Sequence, residues 1–136
     1  MGIGAAIATA GKLKVAALVG DGGLTLSLGE LATLAQEKPD LVLIVMNDNG
    51  YGVIRNMQDA RFQSRRYFVD LVTPGFAAFA TSLGIKSWRV RSIQEFQSSL
   101  NDAVATTGPT LIEVDMAAIG PYAVPFAGPP VPKRKE

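Results

Sequence analysis

Four short segments along the chain predict β-strands, and the first two of them are predicted to be buried. They are VAALVG at 15–20, LVLIVMN at 41–47, IKSWRV at 85–90 and TLIEVDM at 110–116. The first two runs are unbroken rather than alternating, which is typical of strands covered on both faces, as in parallel sheets. We therefore expect a parallel sheet that buries both of its faces.

Segments with helical spacing of apolar residues separate these strands. The first ten residues are rich in glycine and alanine and predict a closely packed helix. Ser27 and Glu30 form a capping-box pattern, which predicts the start of a second helix that ends before Pro39. The buried face of this helix is predicted to contain Leu28, Leu31, Leu34 and Ala35. The more polar segment 53–66 predicts a short helix followed by an exposed loop.

Two further helices are predicted in the second half of the chain. One has Thr73 as its N-cap and Gly84 at its C-terminus. The other repeats the capping-box pattern with Ser92 and Glu95. Its buried face is predicted to contain Ile93, Phe96, Leu100, Ala103 and Val104.

The order strand, helix, strand, helix, helix, strand, helix, strand predicts an α/β fold. Such a pattern is typical of a doubly wound parallel sheet with helices on both faces. We expect one domain over residues 1–119 and a proline-rich C-terminal arm or tail over residues 120–136. In sheets of this kind, ligands bind at the carboxyl ends of the strands.

Two polar, glycine-bearing turns lie at those strand ends, GDGG at 20–23 and NDNGYG at 47–52. Neither fits the G-x-G-x-x-G pattern of dinucleotide sites, and the chain has no G-x-x-x-x-G-K-[ST] phosphate loop. Each turn alone is ordinary, because Asp, Asn and Gly are common turn residues. Together they indicate a magnesium–phosphate site, since glycines let backbone N–H groups approach an anion and carboxylates bind the cation.

The composition limits the metal ligands, catalytic groups and partners that this chain can have. The 136 residues include no cysteine and no histidine, which excludes disulfides, thiolate zinc sites and imidazole bases and leaves oxygen ligands for any metal. A net charge of +1 gives no electrostatic footprint for nucleic acid. No apolar run approaches the roughly 20 residues of a membrane span. We therefore expect neither a nucleic-acid nor a membrane partner, and a cytoplasmic location.

The two turns and the segment between them resemble a known family. GDGG followed by NDNGYG is similar to the signature of thiamine diphosphate-dependent enzymes, and the resemblance runs from Met1 to about Val114. Within that family the chain looks like the C-terminal diphosphate-binding domain of the acetolactate synthase, benzoylformate decarboxylase and pyruvate decarboxylase group. The resemblance implies thiamine diphosphate and Mg²⁺ as cofactors.

The resemblance also implies roles for individual residues. Asp21 and Asp48 would bind Mg²⁺ through their side chains and Gly50 through its carbonyl, and Asp48 stands where many relatives have asparagine. Asn49 would replace Asp48 if the turn were shifted by one residue. Met1 would support the cofactor from below. The remaining cofactor contacts would come from Gly20, Gly22, Gly23, Tyr51 and Gly52.

Other parts of the active site are expected outside this chain. The resemblance implies a pyrimidine-binding domain, in the same enzyme or in a partner subunit, that supplies the catalytic glutamate. We therefore expect a fragment of a longer 2-oxo acid decarboxylase or carboligase, truncated at the N-terminus of its domain, inactive alone and prone to homo-oligomer formation. The alternatives are the small subunit of a split decarboxylase and a non-catalytic cofactor-binding module. Arg55, Arg61, Arg65 and Arg66 are predicted to form a solvated basic loop.

Overall fold

The computed structural model describes residues 1–120 as eleven short elements. The strands are β1 (Val15–Gly20), β2 (Leu41–Asn47), β3 (Lys86–Val90) and β4 (Thr110–Asp115). The helices are α1 (Gly2–Ala8), α2 (Asp21–Thr25), α3 (Glu30–Glu37), α4 (Gly52–Arg61), α5 (Phe76–Ser82), α6 (Ile93–Ala105) and α7 (Met116–Ile119). The predicted C-terminal arm lies, from residue 121 onward, outside the described residues.

The four strands form one parallel sheet in the order β1-β2-β4-β3. Gly20 lies beside Met46, and Asn47 lies beside Asp115, so β1, β2 and β4 end at the same edge of the sheet. The predicted doubly wound α/β fold is confirmed. Both polar segments lie at this edge: GDGG, predicted as a turn, instead runs from the end of β1 directly into the short helix α2, and NDNGYG forms a turn before α4.

The core consists of two apolar layers, one on each face of the sheet. On one face, α1, α3 and α5 pack against β1, β2 and β4, with Leu31, Leu34 and Phe76 almost fully buried. On the other face, α6 and α7 cover β2, β3 and β4, and Ala103 is fully buried. Burying each large apolar side chain of these layers contributes about 1.5–3 kcal/mol to stability.

The prediction that β1 is covered on both faces is wrong for residues 1–120. Its residues alternate between half-buried and exposed, and Leu18 keeps 71% of its surface accessible. The reason is tertiary, because β1 is an edge strand and the helices of the second face pack on the other three strands. An unbroken apolar run shows that a strand can be buried on both faces but not what covers it.

Two of the predicted helix starts are also wrong. Ser27 does not cap α3, because the N–H of Glu30 donates to the backbone carbonyl of Ser27 and Gly29 takes the N-cap position. Thr73 does not cap α5, whose N-cap is Gly75. Both helices begin two residues later than the patterns predict, with Gly29 and Gly75 at the N-cap positions.

The capping box of α6 is confirmed. The Ser92 hydroxyl accepts the N–H of Glu95 at 3.1 Å, and the Glu95 carboxylate accepts the N–H of Arg91 at 2.7 Å. The predicted buried face is right for Ala103 and wrong for Ile93 and Val104, which are more than half exposed. Within residues 1–120, no helix is long and apolar enough to cross a membrane.

The contrast between the two serines gives a direct test. Ser92→Ala removes a real N-cap and is expected to lower the free energy of unfolding by about 1 kcal/mol. Ser27→Ala makes the same chemical change at an exposed residue without a capping bond and is expected to stay within about 0.5 kcal/mol of the wild type. Urea unfolding of both variants measures the difference; equal losses would contradict the assigned helix starts.

Candidate functional site

Asp21 joins the two polar turns. It follows β1 directly, is the first residue of α2 and is buried, with 1% of its surface accessible. Its Oδ2 accepts the backbone N–H of Gly50, which follows β2, at 2.9 Å. The contact exists because β1 and β2 are parallel neighbours in register, so the residues just beyond their ends meet. GDGG is therefore more than a turn between a strand and a helix.

Asp48 lies next to Asp21 and is one-third exposed. Its carboxylate packs so closely on Gly52, the first residue of α4, that a Cβ at position 52 would overlap with Oδ2. On its other side, Nη1 of Arg55 lies 3.5 Å from Asp48 Oδ2. Asp48 is thus held between α4 and Asp21, at the mouth of a cavity.

The electrostatics of this carboxylate pair favour a cation. Burial raises the pKa of Asp21, the N–H groups of Gly22 and Gly50 oppose that rise, and the negative charge of Asp48 adds to it. A buried carboxylate beside a second carboxylate is costly to keep ionised unless a positive charge lies near both. The arrangement fits a divalent ion that binds oxygen.

Among the residues that the structure describes, the site offers only two acidic side chains as metal ligands, and this small number limits which ions it suits. Within residues 1–120, no three His, Cys, Asp or Glu side chains converge on one point. A metal at Asp21 and Asp48 therefore completes its shell with backbone carbonyls, water or the oxygens of a bound anion. Mg²⁺ is commonly bound in this way, by one or two carboxylates together with phosphate oxygens.

The turn after β2 packs so closely on its neighbours that position 50 has room only for glycine. Gly50 pairs with Asp70 in an isolated antiparallel bridge, and the neighbouring Tyr51 N–H donates to the Val69 carbonyl at 2.8 Å. A Cβ at Gly50 would overlap with that carbonyl and with the Arg55 guanidinium. The segment 69–71 therefore supports the turn through backbone pairing.

A cavity of about 770 Å³ opens beside these residues, at the carboxyl edge of the sheet. Its volume is in the range of small-molecule sites. The predicted site residues that line it are Gly20, Asp21, Gly22, Gly23, Asp48, Gly50, Tyr51 and Gly52. The structure thus brings together eight residues that the sequence places in two separate turns.

Two predicted site residues do not line this cavity. Asn49 has a left-handed backbone conformation, and its side-chain Oδ1 accepts the hydroxyl of Thr73 at 3.1 Å, away from Asp21. Its suggested role as a replacement ligand is not supported by this placement, because the turn is not shifted. Met1 is fully exposed at the start of α1. Its suggested role under the cofactor stays a prediction.

Beyond Gly52, the sequence did not single out the first turn of α4 as part of the site. Val53, Ile54, Arg55 and Asn56 line the cavity together with apolar residues of the strand ends, among them Leu18, Met46 and Met116. The first N–H groups of a ten-residue helix have no intrahelical partner and carry a partial positive charge, which favours an anion. In the sequence, Gly52 in NDNGYG was the residue that indicated a helix start at the site.

Arg55 does not belong to a solvated loop, so that prediction is corrected. Its side chain is only 19% exposed, and Nη2 lies 3.0 Å from Asp70 Oδ1 while Nη1 approaches Asp48. The chain returns here through segment 69–71, which supplies Asp70 as the partner charge. Arg66, in contrast, is an exposed residue paired with Asp59 at 2.6 Å.

Comparison with known proteins agrees with the geometry. Residues 1–114 match the family model described as thiamine pyrophosphate enzyme, C-terminal TPP binding domain. The chain is 34% identical over 114 residues to the acetolactate synthase large subunit of Porphyra purpurea, covering 82% of this chain and 19% of that protein. It is 31% identical over 125 residues to 3D-(3,5/4)-trihydroxycyclohexane-1,2-dione hydrolase 2 of Bacillus cereus, covering 82% and 19%.

A solved structure shows the same architecture. The thiamine diphosphate-dependent 4-hydroxybenzoylformate decarboxylase of Rhodococcus jostii superposes with a TM-score of 0.76 at 28% identity, over 83% of this chain and 21% of that one. The chain spans about a fifth of the length of these relatives. The resemblance noted in the sequence is confirmed.

Two glycines of the site have different surroundings, so the same substitution to alanine is expected to change stability differently at each. Gly50→Ala is expected to lower the free energy of unfolding by about 1–3 kcal/mol, because its Cβ collides with the backbone of Val69. Gly20 has an extended backbone and open space around it, so Gly20→Ala is expected to be neutral or stabilising by up to about 1 kcal/mol. Denaturant unfolding without ligands checks both; a large loss at position 20 would contradict the geometry.

Proposed function

Because the chain belongs to the family of thiamine pyrophosphate enzymes, whose C-terminal TPP binding domain it matches, we propose that it holds thiamine diphosphate through a magnesium ion. The observation that carries the proposal is the buried Asp21 carboxylate, which bonds to Gly50 and lies beside Asp48 at the cavity. A charged group in this position without a cation is unfavourable. Magnesium removes the penalty.

The proposed ligands are the carboxylates of Asp21 and Asp48 and the carbonyl of Gly50. All three are hard oxygen donors, which Mg²⁺ prefers. Asp48 contributes a full negative charge, so the ion would be held more tightly than by an amide oxygen. The Arg55 guanidinium, at 3.5 Å from Asp48 Oδ2, limits the excess negative charge and keeps the side chain from turning into solvent.

The diphosphate would be bound between the ion and backbone N–H groups. The N-terminus of α4, at Gly52, lies in the cavity wall and supplies a partial positive charge. The absence of a side chain at Gly23 leaves the wall open there for a close approach of phosphate oxygens. At Gly22 the wall is closed, because the ring of Tyr51 packs on this glycine and a Cβ there would lie 2.7 Å from it.

Within this assignment the chain binds and orients the cofactor and does not activate it. Thiamine diphosphate supplies the chemistry of breaking or making a bond next to a 2-oxo carbon, in a decarboxylation or a carboligation. We propose that a pyrimidine-binding domain, in the same polypeptide or in a partner subunit, completes the site. The apolar surface at Leu18, uncovered within residues 1–120, is consistent with assembly into a larger unit.

Substitution of the two aspartates tests the metal assignment. Asp21→Ala is expected to weaken magnesium-dependent binding of thiamine diphosphate at least about tenfold, or about 1.4 kcal/mol. Asp48→Ala should approach this effect, while Asp48→Asn should be much milder, because the amide keeps an oxygen in place. The shift in melting temperature with cofactor, at sub-saturating magnesium, reports binding to the folded state.

Two controls accompany this series. Asp21→Asn removes the charge while its amide oxygen still accepts the Gly50 N–H, so it isolates the loss of the metal ligand from the loss of the hydrogen bond. Asp102→Asn makes the same charge change at an exposed residue of α6 and should leave binding unchanged. A full cofactor-induced shift in Asp21→Ala would show that Asp21 is not a metal ligand.

The chain alone is expected to show no turnover of pyruvate or benzoylformate in the presence of thiamine diphosphate and Mg²⁺. The physical reason is that the proposed site binds the diphosphate end and leaves the reactive end without the glutamate that the family's other domain provides. Assays of product release with the purified 136-residue chain measure this. Sustained turnover would mean that residues of this chain activate the cofactor.

A further inference from the structure

A second buried carboxylate, Glu113, lies near the site but does not line the cavity. It projects from the central strand β4 and keeps only 1% of its surface accessible. Its Oε1 accepts the side-chain amide of Asn47 at 2.9 Å, and its Oε2 accepts the backbone N–H of Ala77, in the first turn of α5, at 2.8 Å. Burying a carboxylate is costly, and an apolar residue would fill this position at less cost.

Asn47 links Glu113 to the turn after β2 through hydrogen bonds at both ends of its side-chain amide. It is the last residue of β2, directly before Asp48, and is buried. Its Oδ1 accepts the backbone N–H of Asn49 at 3.2 Å and lies 3.4 Å from the hydroxyl of Thr73. An unbroken series of hydrogen bonds therefore runs from Glu113 through Asn47 to the turn that carries Asp48 and Gly50.

The charge of Glu113 decides which way the Asn47 amide faces. A carboxylate only accepts hydrogen bonds, so Asn47 has to turn its NH₂ group to Glu113 and its oxygen to the turn. That oxygen then accepts the N–H of Asn49, which has a left-handed backbone with φ of 55°. A reversed amide would place a donor against the Asn49 N–H and open the turn.

We propose that Glu113 is a positioning residue for the magnesium site: acting through Asn47, it holds the turn in the shape that presents Asp48 and Gly50 to the ion. The inference rests on the proposed function for the ion, while the shape of the turn itself is independent of it. Glu113 touches neither the cavity nor the metal ligands directly. Its effect is transmitted by the orientation of one amide.

Glutamine at position 113 separates hydrogen bonding from size. Two groups donate hydrogen bonds to Glu113, the Asn47 amide and the Ala77 N–H. Arg89 Nε also lies 3.9 Å from Oε1, so the NH₂ group of a glutamine necessarily faces a donor. Asn47→Asp creates the opposite conflict, two carboxylates in contact. The double variant N47D/E113Q removes both conflicts, because the new glutamine donates to the new aspartate and its oxygen accepts from Ala77. The net charge of the pair is also unchanged.

The experiment compares the two single variants, the double variant and the wild type. Amide hydrogen exchange at Asn49 and Gly50 in the ligand-free chain reports the turn, and calorimetric titration with Mg²⁺ in the presence of thiamine diphosphate reports the site. Each single variant is expected to speed exchange at these amides about tenfold and to weaken magnesium binding about tenfold or more. The double variant is expected to restore both to within about threefold of the wild type.

Leu34→Ala is the matched control, because it removes buried packing on α3, which carries none of the cavity residues. It should lower the melting temperature without changing either readout well below that temperature. Unchanged exchange in both single variants, or failure of the double variant to restore it, would overturn the proposal. If a single variant does not fold, a folded double variant with normal exchange supports the proposal and an unfolded one overturns it.

The outcomes for the two proposals are distinct. A wild-type chain that binds no magnesium with the cofactor refutes the proposed function, and the exchange data alone then decide whether Glu113 positions the turn. A wild-type chain that binds magnesium while all variants bind it equally refutes the role of Glu113 at the site. Rescue of both readouts by the double variant is a result that a purely space-filling role would not produce.

Discussion

The hydrogen bond from the Gly50 N–H to Asp21 is the contact on which the site depends. It connects the residue after β1 to the turn after β2, and it is possible only because the two strands are parallel neighbours that end together. The Asp21 carboxylate is thereby fixed beside Asp48. The N-terminus of α4 follows directly from the same turn. The hydrogen bond to Asp21 therefore positions both the proposed metal ligands and the proposed anion-binding backbone.

Two buried carboxylates serve this edge of the sheet in different ways. Glu113 accepts from Asn47 and Ala77 and has Arg89 at 3.9 Å, so its charge is compensated within the fold. Asp21 accepts backbone N–H groups but lies against another carboxylate, Asp48, and burial raises its pKa. The first carboxylate is therefore suited to holding a backbone turn, and the second is suited to binding a cation.

Sequence patterns predicted the order of helices and strands, and they predicted helix starts correctly where the hydrogen bonds that form are those between residues close in the sequence. The order of strands and helices follows from the spacing of apolar residues, and the Ser92 cap follows from a four-residue pattern that the structure reproduces. Ser27 and Thr73 show the same kind of pattern without the bond, and Gly29 and Gly75 take the N-cap positions instead. The Thr73 hydroxyl is instead bonded to Asn49, 24 positions away in the chain, a partner that no local pattern indicates.

The sequence by itself determined the parallel sheet, because buried strands need long apolar runs, and its resemblance to the family indicated eight of the residues that line the cavity. Only the tertiary structure decided that Arg55 is enclosed rather than solvated, that Asn49 points away and that the outer face of β1 lacks a cover within residues 1–120. It also placed Glu113 behind the turn. These outcomes depend on which distant segment arrives beside each residue, and the segments at 69–71 and on β4 lie too far along the chain for a local pattern to specify them.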